Sequence, residues 1–153
     1  MDAEQEKIAL DKVVRGHVYD FVMREGLPPT IAETSSALAR SPNEVGDSFQ
    51  RLADVHVLVL QKGSGEILMA NPFSAVPTPF LVKAGGRSYY GNCIWDAMGI
   101  PAMLKHNAII EASCGCCSTA MNLNVTNGSL ERARGIAHFA IPAAQWWDDI
   151  VFN

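Results

Sequence analysis

No stretch of this chain is apolar for the roughly 18–20 residues that a membrane-spanning helix needs. The first residues, Met-Asp-Ala-Glu-Gln-Glu-Lys, are acidic and polar, unlike the apolar core of an export signal. The expectation is a cytoplasmic protein without a membrane partner. Basic charge is scarce: 12 Lys and Arg face 16 Asp and Glu, for a net charge of −4. That balance excludes a broad cationic footprint for nucleic acid or an anionic lipid surface. The acidic excess lies in residues 1–80, which hold 11 acids against 7 bases, whereas residues 81–153 hold 5 of each. There is no P-loop, no glycine-rich dinucleotide fingerprint, no serine nucleophile elbow and no internal repeat. Cysteine is limited to Cys93, Cys114, Cys116 and Cys117. Three of these fall within four residues, which is poor spacing for a disulfide framework, so thiols or metal ligands are the better reading.

What is present is globular material. Hydrophobic residues make up 48% of the 153 and charged residues only 18%, enough for one medium domain or two small ones sharing a core. Ile8, Val14, Val18, Phe21 and Val22 recur at helical spacing over residues 4–24, and Gly26 with Pro28-Pro29 closes that helix. Thr30-Ile-Ala-Glu33 and Ser41-Pro-Asn-Glu44 are capping boxes, each starting a further helix. Pro42 takes the favoured first helical position. Val45, Phe49, Leu52 and Ala53 mark the inward face of the third helix. Two short strands, 57–60 and 67–70, follow around Gly63 and Gly65. Three helices and a hairpin in this order predict a winged helix-turn-helix module over residues 1–70. Its third helix carries Glu44 and Asp47 against Arg51 alone, a face that repels phosphates, so DNA is not the expected partner.

Residues 71–80, with three prolines, read as a stiff extended connector. Beyond it, residues 81–153 predict a second domain. A hairpin of 80–83 and 87–90 turns at Gly85-Gly86, and a helix capped by Asn92 ends at Gly99-Ile-Pro101. Strands are expected at 108–112, 121–125 and 136–141, then a short helix from Pro142 through Trp147. The fold class is therefore α+β: a winged-helix start followed by a small mixed or antiparallel sheet with short helices.

Within the 92–101 helix, Cys93 and Asp96 stand three residues apart and so share one face. A thiol at a helix start feels the positive end of the backbone dipole, which favours thiolate. A carboxyl among Trp95, Met98 and Ile100 is pushed toward its neutral form. Together they make a soft-metal ligand beside a proton donor. The plainer alternative is a buried structural cysteine and a solvated or helix-capping aspartate.

The string Tyr90-Gly-Asn-Cys-Ile-Trp-Asp-Ala-Met-Gly-Ile-Pro101 resembles the active-site segment of the organomercurial (alkylmercury) lyases. The winged-helix start, the proline-rich connector, the Ala112-Ser-Cys region and the ending His138-Phe-Ala-Ile-Pro…Gln-Trp-Trp-Asp-Asp-Ile-Val-Phe152 look like that family in the same order, so the resemblance covers nearly the whole chain. The resemblance implies protonolysis of a carbon–mercury bond. Cys93 matches the family's mercury-binding nucleophile and Asp96 its proton-handling aspartate. It further implies an organomercurial substrate, no required cofactor, mercury(II) as the bound product, cellular thiols as co-reactants and hand-off to a mercuric reductase. The family's second cysteine follows the Trp-Asp-Asp-Ile-Val-Phe segment. Here no cysteine follows Cys117, so the expectation is a C-terminally shortened catalytic domain, a member that works without that thiol, or a protein that is not a lyase of this kind. A non-catalytic thiol protein that sequesters heavy metal, or a winged-helix regulator, are the alternatives.

The cluster Cys114-Gly-Cys-Cys117 has chelating spacing, but there is no second C-x-x-C, and His106 is eight residues upstream. Three readings stay open: a loop cluster without function, a mercury or zinc site, or a source for the missing second thiol. His138 reads as a core histidine in an apolar strand. Trp146-Trp147 reads as packing for the last helix on the sheet, and Asp148-Asp149 as a solvated end. Of Tyr89 and Tyr90, strand alternation sends one inward.

Overall fold

A computed structural model describes residues 2–131 and 133–151. Phe152, which ends the resemblance, and Asn153 lie outside the described residues. The chain opens with three helices, α1 (Ala3–Glu25), α2 (Ile31–Leu38) and α3 (Pro42–Asp54). Both expected capping boxes form: Thr30 and Glu33 exchange hydrogen bonds at the start of α2, as do Ser41 and Glu44 at the start of α3. Asp2 and Gln5 make a third at α1. Gly26 ends α1 at φ 93°, and a Cβ there would also press on the Ser88 carbonyl oxygen at 2.9 Å.

Strands β1 (Leu58–Leu60), β2 (Ile67–Ala70) and β3 (Phe73–Ser74) form an antiparallel sheet in that order. β3 lies inside the proline-rich segment, so 71–80 is not a plain connector. Phe73 is fully buried, and burying so large a ring recruits its backbone to the free edge of β2. The second sheet holds β4 (Leu81–Ala84), β5 (Arg87–Tyr90), β6 (Ala108–Glu111), β7 (Leu123–Thr126) and β8 (Ser129–Glu131). Its order is β5-β4-β6-β7-β8, antiparallel throughout. Helix α4 (Ile94–Leu104) lies on one face. The fold is thus α+β with antiparallel sheets.

Alternation builds the core beneath α4. Val82 and Ala84 of β4, Tyr89 of β5, and Ala108 and Ile110 of β6 turn inward to meet Ala97 and Ile100 of α4. A second apolar cluster joins Val14 and Val18 of α1 to Val45, Phe49 and Leu52 of α3 and to Leu58, Ile67 and Ala70 of the first sheet. α1 serves both clusters, because Val22, one turn beyond Val18, belongs to the first. Asp11 further ties α1 to α3. It accepts two hydrogen bonds from the Arg51 guanidinium (2.9 and 2.7 Å) and one from the Ser48 hydroxyl (2.6 Å). No helix among the described residues is long and apolar enough to cross a membrane.

Three expectations need correction. α4 does not stop at Gly99-Ile-Pro101 but runs on to Leu104 and closes at Lys105 with φ 55°. Ile100 and Pro101 are buried, and that packing outweighs the hydrogen bond proline removes. Residues 136–141 form no strand: Ile136 is 93% exposed and His138 is exposed rather than in a core. Among the described residues the last strand is β8 instead, paired to β7 through Asn127-Gly128, both at positive φ (51° and 75°). An Asn-Gly pair between short strands is a strong hairpin signal and was there to be read. The final helix is a 3₁₀ segment, Ala143–Asp148, with no buried residue. Trp147 stacks on His56 beside β1 (centroids 3.9 Å apart, planes within 6°), while Trp146 meets Phe139. Asp148 and Asp149 are exposed.

Candidate active site

The chain leaves β5 at Tyr90, crosses Gly91 and Asn92, and enters α4 with Cys93 as its N-cap in extended conformation. Two backbone contacts pin this crossing. The Gly91 N–H donates to the Phe80 carbonyl (2.9 Å), and the Gly91 carbonyl accepts from the Thr78 hydroxyl (2.6 Å). Gly91 also pairs with Phe73 as an isolated bridge. A Cβ on Gly91 would lie 2.7 Å from the Ala97 nitrogen and 2.9 Å from its Cα. It is this approach, rather than a left-handed φ, that demands glycine. Backbone cannot move aside as a side chain can, so Gly91→Ala should displace the start of α4. The expected cost is about 1–3 kcal/mol in urea denaturation. A variant as stable as the parent would show that the helix start has slack.

Asn92 does not cap α4 as expected; Cys93 occupies that position and makes no side-chain cap hydrogen bond. The Asn92 amide instead donates to the Asp96 carboxylate (3.0 Å), the Asn71 side-chain oxygen (3.1 Å) and the Pro72 carbonyl (3.4 Å). Asn71 is held in turn, since its carbonyl accepts from the Tyr19 hydroxyl of α1 (2.9 Å). A line of contacts thus runs from α1 through the proline-rich segment to the carboxyl of Asp96. Tyr19, Asn71, Thr78 and Asn92 were all missed as site residues. For Asn92 the four-residue offset to Asp96 was a usable signal; the others are distant in sequence. The Asn92 side-chain oxygen is buried without a protein partner.

Cys93 and Asp96 do meet, and each shifts the other's titration. Burial pushes the Asp96 carboxyl above its ordinary range, with hydrogen bonds from Asn92 and Cys93 opposing part of the shift. The shielding differs from the expected one, because Trp95 is 62% exposed. The Cys93 thiol is pushed up, not down. Half-burial dominates and the facing Asp96 carboxylate adds to it, against the favourable backbone N–H groups of Asp96 and Trp95. The dipole reading of Cys93 therefore fails, since desolvation outweighs the helix terminus. Tyr19 is raised by burial too, and Asp96 adds to that shift, which places its hydroxyl within electrostatic reach of the pair. Because the Asn92 hydrogen bond lowers the Asp96 pKa, Asn92→Ala should raise it further and cost about 1 kcal/mol of stability. A carboxyl-carbon NMR titration of Asp96 reads this directly; an unmoved midpoint would remove Asn92 from the electrostatics of the site.

Tyr89 is the inward tyrosine, donating its hydroxyl to the Met23 carbonyl (2.8 Å), and Tyr90 is half-buried. Cys114, Cys116 and Cys117 lie in the loop after β6, and Cys93 is not part of their group. The Cys114 thiol is brought down to about 7 by the backbone N–H of Cys116, the Cys116 thiol and the N–H of Cys117, and Cys116 is pushed up by Cys114.

The alkylmercury lyase family model matches residues 73–152, more than half of the chain. Among solved structures, the mercury-bound form of MerB2 superposes with a TM-score of 0.61 at 20% sequence identity, over 78% of this chain and 58% of that one. The chain thus spans under two thirds of that structure's length, and the likeness at this identity is one of fold. No curated protein matches the sequence.

Proposed function

Because the chain belongs to the alkylmercury lyase family, we propose that it cleaves carbon–mercury bonds of organomercurials by protonolysis, with Cys93 as mercury ligand and Asp96 as proton carrier. One observation carries the reading: a half-buried thiol and a partly buried carboxyl face one another at the start of α4, with the carboxyl anchored by Asn92.

At rest burial keeps the proton on the Cys93 thiol, and the Asp96 carboxyl faces it as the acceptor. As sulfur bonds to the mercury of R–Hg–X, the thiol proton passes to the Asp96 carboxylate and X⁻ departs. A second thiolate, from a cellular thiol or another cysteine, then adds to mercury. Each soft sulfur donor pushes electron density onto the metal and through it to carbon. The carbon–mercury bond breaks with its electron pair on carbon, and carbon takes the proton from Asp96. R–H leaves and mercury(II) stays on sulfur until small thiols, or a reductase, remove it. No resident cofactor is needed, and a cytoplasmic setting would supply the thiols.

We read α1 to α3 with the β1–β2 hairpin as a winged helix-turn-helix module over 1–70, joined through 71–80 to the catalytic domain. The helix order and the second apolar cluster support this. The module packs rather than binds DNA: Arg51, the single base on α3, is engaged by Asp11, leaving Glu44 and Asp47 outward.

The test is product analysis in deuterated water. Methylmercury with excess small thiol should yield methane carrying one deuterium plus mercury(II). Tight mercury binding with no hydrocarbon above the buffer control would sink catalysis in favour of sequestration.

A further inference from the structure

The loop between β6 and β7 carries a feature the proposed reaction does not use. The Cys114 N–H donates to the Thr119 carbonyl (2.8 Å), the Ser118 N–H donates to the Cys114 carbonyl (2.9 Å), and Ser113 bridges Ala120. This tight turn gathers three thiols. The Cys114 and Cys116 sulfurs are 3.3 Å apart, and all three sulfurs lie within 4.8 Å of one another. Sulfurs bound to one ion at about 2.3 Å, the zinc–thiolate length, stand roughly 4 Å from each other. The closest pair is somewhat shorter than that and no pair exceeds 4.8 Å, so side-chain adjustments of about 1 Å suffice to seat one ion. Cys116 and Cys117 are exposed, so an ion can reach them. Among the described residues no fourth His, Cys, Asp or Glu joins the group. A structural zinc site takes four ligands; a softer thiophilic ion is served by sulfur alone.

Topology adds a source for that ion. Tyr90, the last residue of β5, and Glu111, the last of β6, both pair with Leu81 of the intervening β4. β5 and β6 therefore run parallel and leave the sheet at the same end, about 10 Å apart at two strand spacings. Cys93 follows three residues after Tyr90, and Cys114 three after Glu111.

We propose that Cys114, Cys116 and Cys117 form an exposed three-sulfur site that holds mercury(II) apart from Cys93. The sulfur set and its spacing stand by themselves; the choice of mercury rests on the proposed lyase reaction, which releases that ion at the same end of the sheet. On binding, each thiol loses its proton to solvent and the three-thiolate complex carries a net charge of −1.

Equilibrium dialysis of inorganic mercury(II) against a fixed excess of monothiol tests this on the full chain carrying Cys93→Ser. That background retains about one mercury(II) per chain, with sulfur-to-mercury charge-transfer absorption in the ultraviolet. Adding Cys116→Ser and Cys117→Ser leaves a single thiol, removes the chelate and weakens retention by about 100-fold or more. Both added positions are exposed, and circular dichroism confirms that the fold persists. Equal retention by the two variants, or cluster thiols still open to alkylation with mercury present, overturns the site. Since both variants lack the Cys93 sulfur, the outcome does not depend on whether carbon–mercury cleavage occurs.

Discussion

Cys93→Ser reduces turnover of phenylmercury to the buffer rate, a loss of at least ~10³-fold, or about 4 kcal/mol of transition-state stabilisation. The physical reason is the donor atom. A hydroxyl oxygen is hard, stays protonated near neutral pH, and neither grips a soft metal nor feeds electron density through it. The structure separates this loss from unfolding. Cys93 is the N-cap of α4 yet makes no cap hydrogen bond, and serine is among the best N-cap residues. Helix α4 should begin as well or better in the variant, so the melting temperature stays level or rises while activity disappears. Turnover within a few-fold of the parent would transfer the nucleophile to another thiol.

Asp96→Asn lowers turnover by about 10²–10⁴-fold, the range for removing a positioned proton carrier. The amide still accepts the Asn92 hydrogen bond through its oxygen, so the local geometry survives. Its effect on stability has a definite sign. The folded-state pKa of Asp96 is raised by burial, so the folded protein disfavours the charged carboxylate. That penalty grows as pH rises through the unfolded value toward the folded one, so it is already present above the ordinary carboxyl range. Asparagine carries no charge and escapes it, so the variant is at least as stable as the parent at pH 7 while losing activity. In the parent, kcat/KM should be bell-shaped. The acid limb lies above the ordinary carboxyl pKa of 3.8, because below it Asp96 cannot take the thiol proton. The alkaline limb lies above the ordinary thiol value of 9.0, because beyond it the pair holds no proton to deliver. Loss of the acid limb in Asp96→Asn, with the alkaline limb retained in the residual activity, assigns it to Asp96. A parent-like profile and rate in the variant would leave the proton route elsewhere.

Local signals in the sequence were reliable where local physics governs. Thr30/Glu33 and Ser41/Glu44 cap their helices because a side chain and a backbone group three residues apart need no help from the rest of the chain. The hairpin of β4 and β5 follows from alternation and Gly85-Gly86. The expectation failed where packing decides. Pro101 stays helical because its turn is buried, and residues 136–141 are apolar in composition yet form no strand. β3 arises inside a proline-rich run because Phe73 has a core to fill.

By itself, the sequence determined that Cys93 and Asp96 share a helix turn, since three residues of α-helix bring two side chains together whatever surrounds them. It also determined that three thiols crowd one loop. The charge state of the pair was decided only by tertiary structure. The depth to which α4 sinks against the second sheet and the 71–73 segment sets the desolvation of the thiol and the carboxyl, and desolvation outweighs the helix dipole that the sequence suggested. The anchors of the site, Tyr19, Asn71 and Thr78, come from α1 and the proline-rich run, at separations where no periodicity operates and only the closed fold brings atoms within hydrogen-bonding distance.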